Sequence, residues 1–221
     1  MRLYEYPESG NSHKVRLLLS FLGLKYESVE IDLMADEQHQ EAFLSINPRG
    51  EVPVLEDEDT ILRDSMAILV YLAMKYDQGV WLPRDPKRMG EAMEWLAFAA
   101  SWIQYGVFTA RALVAFGIPG NGLPADYPGS LQEAQLRGTK SLRILEQHLS
   151  EREWLCGGSP TIADVACFPY IALAPMGETS LEPYPAVRRW ITRFKTLPGY
   201  LDMPGLEHPD YRKAEPKTGS Q

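Results

Sequence analysis

Asn47-Pro48-Arg49-Gly50-Glu51-Val52-Pro53-Val54-Leu55 is the stretch on which the fold turns. Asn-Pro-Arg-Gly is a turn composition, and the Val-Pro-Val-Leu after it reads as a short strand. Pro53 has no amide hydrogen, so it cannot serve an interior ladder and belongs at a sheet edge or a bend. A cis Val52–Pro53 bond fits a bend and a trans bond fits an ordinary edge, and spacing alone leaves both open. Downstream, Asp57-Glu58-Asp59 separates two brief strands, a hairpin signal. Ser65 then opens an apolar run, Met66 to Tyr76, whose Ile68, Leu69, Leu72 and Tyr76 fit a helix packed on a sheet. Upstream, Met1 to Tyr6 alternates as a strand does, and Pro7 with Ser9-Gly10-Asn11-Ser12 marks a turn and a helix start. Val15, Leu18, Leu19 and Leu22 form one apolar helix face, with Gly23 placed to terminate it. Tyr26 to Asp32 reads as a second strand, at a spacing that permits a parallel crossover, and Glu37 to Ser45 as a short helix. The order is βαβ, α, ββα, an α/β domain over residues 1–77 with helices on both faces of a small sheet.

Residues 77–86 turn to Gly, Pro and charge, the composition of a domain boundary crossed by few contacts, and 78–87 reads as a linker. Residues 88–201 form an all-helical region. Lys87 to Phe116 has a long helical pattern, Gly117 to Gly129 is a Pro/Gly loop, and Ser130 to Ser150 is an amphipathic helix. Thr161-Ile162-Ala163-Asp164 is a capping box. The helix it opens is expected to bend or break near Pro169, and Ala186 to Lys195 supplies another. The tail, 202–221, is polar and Pro-rich and is expected to lack structure.

The 221 residues are 45% hydrophobic and 24% charged, with a formal charge of -8, ordinary for a globular protein. An acidic chain has no basic field for nucleic acid or an anionic membrane. The N-terminus lacks a signal-peptide pattern and no apolar run approaches the roughly 20 residues of a membrane helix, so a cytoplasmic location is expected. Cys156 and Cys167 are too few for a disulfide framework and read as buried thiols. His13 and His39 have no metal-ligand spacing, and no metal is expected.

Asp64-Ser65 at a helix start combines free backbone amides, which favour a carboxylate, with an acidic side chain suited to an ammonium. Set against the Val-Pro strand, that is a physical basis for holding a small zwitterionic peptide. Capping of the helix by either residue is compatible with it.

Taken together and in order, Ser9 to Arg16, Asn47 to Leu55, Asp64 to Leu72 and Thr161 to Asp164 resemble the glutathione S-transferase family. The resemblance implies a thioredoxin-like N-terminal domain with a cis-proline, an all-α C-terminal domain, glutathione as co-substrate, and a homodimer with the site near its interface. It implies that the Val52 main chain, beside Glu51 and Pro53, pairs with the cysteinyl unit of glutathione in a strand-like rung. Asp64 and Ser65 would hold its γ-glutamyl end, and Gln38 its glycine carboxylate. Catalysis in the family lowers the thiol pKa of bound glutathione. A free thiol near 8.5 is only a few per cent thiolate at neutral pH, and a hydrogen bond to the anion, roughly 1.5–3 kcal/mol, with a helix N-terminus lowers it by about one to three units. The candidate donors are Ser9, Asn11 and Ser12, each also suited to capping, with Tyr4 and Tyr6 as alternatives.

The stretch Ser9 to Lys14 is most similar to bacterial Ser/Asn-type members, the Nu-class disulfide-bond reductase branch, known for disulfide and peroxide chemistry. No cysteine precedes Cys156, unlike members that form a mixed disulfide with glutathione. Glu51 stands where many relatives carry Lys or Gln, and Asp64 replaces the commoner Glu. A second substrate would lie against Trp102, Tyr105, Phe108 and Arg111 on the long helix. The implied function is a glutathione-dependent transferase or reductase acting on an electrophile, peroxide or disulfide. The alternatives are a non-catalytic binding or scaffold protein of the same fold, and isomerisation or reductive dehalogenation as in other branches.

Overall fold

A computed structural model describes residues 1–118, 130–210 and 212. Four short strands, β1 (Arg2–Glu5), β2 (Glu27–Glu30), β3 (Val54–Asp57) and β4 (Thr60–Leu62), form one sheet in the order β2-β1-β3-β4. β1 runs parallel to β2, with Leu3 opposite Ser28, and antiparallel to β3, with Leu3 opposite Leu55. β3 and β4 are the expected hairpin, and Glu58 turns it in the left-handed region at φ 56°.

Alternation along β1 divides the sheet into two faces. Leu3 and Leu55 face helices α1 (Gly10–Phe21) and α3 (Ser65–Tyr76), whose Val15, Leu18, Ile68, Leu69 and Leu72 are fully buried. Tyr4, Tyr6 and Val54 face a smaller cluster with Ile31, Phe43 and Val52, closed by α2 (Glu41–Leu44). The short helix expected over 37–45 is two pieces, a 3-10 turn at Glu37–His39 and α2, separated by the extended Gln40. α1 ends as its Gly23 suggests: this residue takes φ 65°, and the Leu24 N–H closes the turn on the Leu19 carbonyl at 2.9 Å.

The C-terminal region is helical: α4 (Pro86–Phe98), α5 (Thr109–Arg111), α6 (Ser130–Glu151), α7 (Ile162–Ala172) and α8 (Pro185–Lys195). Three features depart from expectation. The rod from Pro86 to Phe116 is not a regular helix: Ala99–Phe108 and Ala112–Phe116 are wide π-type turns, and Gly106 is non-helical at φ -109°, ψ -105°. A side chain at Gly106 would lie 2.8 Å from the Gly138 nitrogen, so close passage of α6 requires glycine there. α7 does not break at Pro169 but runs on to Ala172. The expected boundary is also well packed: Trp81 stacks on Phe21 at 4.7 Å and its carbonyl accepts the Ile162 N–H at 2.8 Å, and one core cluster spans both regions.

Residues 119–129, on which most of the expected Pro/Gly loop falls, and residues 211 and 213–221 of the tail lie outside the described residues. The part of the tail that is described is packed rather than free: Met203 is buried, and Arg212 pairs with Glu8 at 2.9 Å. Among the described residues no helix is long and apolar enough to cross a membrane.

Candidate functional site

The first arm of the site is the turn before β3. Asn47, fully buried, donates from Nδ2 to the Glu51 carbonyl at 2.7 Å and accepts the Arg49 N–H at 3.1 Å. Gly50 completes the turn at φ 63°. This brace presents Val52 just beyond the end of the β1–β3 ladder, whose last pair is Tyr4 and Val54. Neither the Val52 N–H nor its carbonyl has a hydrogen-bond partner among the described residues, so the rung beyond the ladder is open. The Val52–Pro53 bond is cis. Pro53 stands at a bend leading into an interior strand, not at a sheet edge.

The second arm is the start of α3. Asp64 is its N-cap: Oδ1 accepts the Met66 N–H at 2.8 Å and the Ala67 N–H at 3.1 Å. Both capping bonds fall on one oxygen, so Oδ2 faces outward, 3.9 Å from Arg49 Nη1 in an exposed ion pair that ties this helix start to the first arm. Ser65 is buried behind it. Gln38 lies in the 3-10 turn Glu37–His39 opposite Gly50, whose side chain, were there one, would meet the Gln38 carbonyl at 3.3 Å. Its Nε2 donates to Asp36 at 3.0 Å, while its Oε1 is buried without a partner among the described residues.

The third arm is the start of α1, and here the three candidate donors separate. Ser9 caps the helix, its Oγ accepting the Ser12 N–H at 3.2 Å. Ser12 is fully buried and its Oγ accepts the Tyr6 N–H at 3.4 Å. Asn11 is half-buried, with its Oδ1 accepting from the Lys14 ammonium at 2.8 Å. Because an ammonium only donates, the oxygen of the Asn11 amide must face Lys14, which turns Nδ2 the other way. Among the described residues no acceptor is paired with that Nδ2. The Asn11 backbone N–H is taken by the hydroxyl of Tyr170 on α7 at 3.1 Å. Tyr170 also explains Gly10, where a side chain would come within 2.4 Å of its ring. Tyr6 donates to Glu8 at 3.1 Å, and burial with the Glu8 charge pushes its pKa up. Tyr4 donates to Glu56 at 3.3 Å.

Of the four residues expected to line a second pocket, two reach this corner. Phe108 packs on Tyr170 at 4.8 Å, and buried Arg111 donates to the Glu8 carbonyl at 3.1 Å. Trp102 lies instead beneath the Lys140 ammonium of α6, 4.5 Å from its ring centre, and Tyr105 is exposed. No trio of metal-ligating side chains is present among the described residues. Both cysteines are buried and free, and burial pushes both pKa values up.

Reading the sequence alone does not single out Lys14 or Tyr170. A signal for Lys14 exists: it lies four residues before Leu18, beside the apolar stripe of α1, where a surface lysine does not belong. Tyr170 carries no local signal.

Two profiles of the family match the chain, its glutathione S-transferase N-terminal domain over residues 1–74 and its C-terminal domain over 128–193. The maleylacetoacetate isomerase of Pseudomonas aeruginosa is 30% identical over 98% of this chain and 96% of its own length. The chain belongs to the glutathione S-transferase family. The disulfide-bond oxidoreductase YfcG of Escherichia coli is 28% identical, over 89% of this chain and 90% of its own. A glutathione transferase family member from Pseudomonas fluorescens, solved with two glutathione bound, superposes with a TM-score of 0.78 at 29% identity, covering 90% of this chain and 89% of that one. As a member of this family the chain has the relationships of a glutathione-dependent transferase or reductase in general.

Proposed function

We propose that this chain activates the thiol of glutathione at the start of α1 and uses the thiolate to reduce small disulfides. The observation that carries the reading is the hydrogen bonding at that helix start: Lys14 holds the Asn11 oxygen and leaves the Asn11 amide N–H unpaired among the described residues, while Ser9 and the fully buried Ser12 accept within the turn and keep their hydroxyl hydrogens. Val52 offers the strand-like rung to the cysteinyl unit beside Glu51 and Pro53. The outward Asp64 Oδ2, 3.9 Å from Arg49, meets the α-ammonium, Ser65, whose backbone N–H is not taken by the Asp64 cap, meets the adjacent carboxylate, and Gln38 serves the glycine end. Phe108 and Arg111 border the second substrate.

Disulfide reduction is favoured over conjugation by one structural fact and one likeness. Both protein thiols are buried, so none competes for a mixed disulfide, and the chain is similar over most of its length to an enzyme named a disulfide-bond oxidoreductase. The balanced reaction then takes two glutathiones. The first thiolate attacks one sulfur of the disulfide and expels the other as a thiol. The second attacks the resulting mixed disulfide, giving glutathione disulfide and the second thiol.

A homodimer is part of this reading. α3 and α4 leave an apolar groove lined by Met66, Val70, Met74, Met93 and Ala97 that begins at Asp64, and a second copy would cover it beside the glutathione site.

Mixing with glutathione should produce a thiolate absorbance band near neutral pH, and a small disulfide should be turned over with release of glutathione disulfide. Absence of the band and of retention on immobilised glutathione overturns the enzyme reading. Turnover of an aryl halide but of no disulfide or hydroperoxide overturns the choice of reaction.

A further inference from the structure

Lys14 is a charged side chain with no exposed surface, at the junction of α1, α3 and α7. The groups around it are few. Asn11 of its own helix accepts its hydrogen bond at 2.8 Å. Tyr170 of α7 presents its ring face at 4.9 Å, a cation–π contact. Cys167 of α7 and Asp64 at the start of α3 are the acidic groups whose fields reach it, and neither makes an ion pair with it. A lone ammonium in such a place costs stability unless something requires it. Core packing does not require it, since a methionine fills similar space without the charge.

We propose that Lys14 is a positioning residue for the glutathione thiolate: it pins the Asn11 oxygen inward, so that the amide N–H faces the sulfur, and sets a poorly screened positive charge beneath the anion. The inference rests on the reading of Asn11 as the thiolate donor. Without Lys14 the Asn11 amide is free to turn over, and its oxygen, facing the sulfur, would repel the anion it now binds. The charge acts in the same direction, because the low-dielectric path between Lys14 and the helix start weakens a Coulomb interaction less than water does. Burial lowers the Lys14 pKa to about 8, so the ammonium form still dominates at neutral pH.

The test is the pKa of bound glutathione, read from the thiolate absorbance in the wild type, Asn11→Ala, Lys14→Met and the double variant, with glutathione affinity measured alongside. Lys14→Met is expected to raise that pKa by about one unit, tenfold in thiolate fraction, while affinity for the protonated form changes less than threefold. The double variant is expected to shift by less than the sum of the single variants, because Lys14 acts in part through Asn11. A Lys14→Met pKa equal to the wild-type value, with Asn11→Ala shifted, overturns the role of Lys14 and leaves that of Asn11 standing. An unshifted Asn11→Ala overturns the donor reading and with it the route through Asn11. Strict additivity overturns the positioning of the amide. Should Lys14→Met not fold, Lys14→Gln, which removes the charge but keeps a polar end, carries the same measurements.

Discussion

Replacing Lys14 by methionine is expected to make the protein more stable, and by an amount that depends on pH in a way only a buried ammonium produces. The folded chain lowers the Lys14 pKa from 10.5 to about 8, chiefly by burial, opposed by the fields of Cys167 and Asp64. At roughly 1.4 kcal/mol for each tenfold change in proton affinity, that is a cost of about 3 kcal/mol. Below pH 8 the lysine is protonated in both folded and unfolded chains and the whole cost is present. Between about 8 and 10.5 the unfolded chain holds a proton that the folded chain has released, so stability rises with pH. Above 10.5 the cost is gone. The advantage of Lys14→Met over the wild type should therefore shrink by about 3 kcal/mol across this window, roughly 6–12 °C in Tm for a chain of this size. Tyr170, Tyr200 and Cys167, all pushed up by burial, pull stability down with rising pH over part of the same range, so neither curve alone is diagnostic. Tyr200 is common to both proteins and cancels in the difference, whereas Cys167, whose thiol the Lys14 charge holds down, and Tyr170, which carries that charge on its ring, cancel only in part, so the pair is also compared in a Cys167→Ala background. Thermal unfolding of the pair at closely spaced pH values from about 7 to about 11 reads that difference directly. A difference that stays constant across the window would refute the buried charge.

Asp64→Asn separates capping from ligand binding. Asparagine caps as well as aspartate, so Tm should hold, while loss of the charge facing the α-ammonium should weaken glutathione binding about tenfold, consistent with roughly 1.5 kcal/mol for a charged hydrogen bond. Calorimetric titration checks this, and unchanged affinity would leave Asp64 a cap and nothing more. Asp164→Ala removes a fully buried acceptor of the Leu155 N–H at 3.1 Å, the Thr161 N–H at 2.9 Å and the Trp190 Nε1–H at 2.9 Å. Three donors left without a partner should cost about 3 kcal/mol or more, seen as a lower denaturant midpoint, and a loss under about 1 kcal/mol would contradict the accounting.

The N-terminal fold was legible because its signals are local and agree with one another. Alternation in Met1 to Tyr6 and Tyr26 to Asp32, a helical stripe ending at Gly23, and a turn at Asp57 to Asp59 each specify one element, and the order of elements leaves few topologies. The long helix was harder to read for a physical reason. Grouping Trp102, Tyr105, Phe108 and Arg111 on one face assumes a constant helical period, and the wide turns around a non-helical Gly106 break it. Phe108 and Arg111 consequently meet the start of α1, while Trp102 is held by Lys140 on α6. The expected break at Pro169 failed for a different reason. A proline removes one hydrogen bond and crowds one carbonyl, but every residue of α7 is buried, and packing on all sides outweighs that local cost.

At the site itself the obstacle is that each residue can satisfy two demands at once. A helix start needs side-chain acceptors for its free amides, and a bound zwitterion needs acceptors and donors in the same place, so Ser, Asn and Asp are the right letters for both. Composition cannot divide them, but geometry can, by counting which atoms are already used. Ser9 and Ser12 accept within the turn and keep only a hydroxyl hydrogen, Asp64 caps with one oxygen and holds the other toward Arg49, and Asn11 gives its oxygen to Lys14 and keeps its N–H. The partners that decide this come from far along the chain or from the core side of a helix. Tyr170, 159 residues from Asn11, takes the backbone N–H, and Lys14 fixes the amide from below. The proposed choice of Asn11 as donor thus rests on tertiary contacts, on how α7 and the buried lysine meet the start of α1, and the motif Ser9 to Lys14 supplies only the candidates.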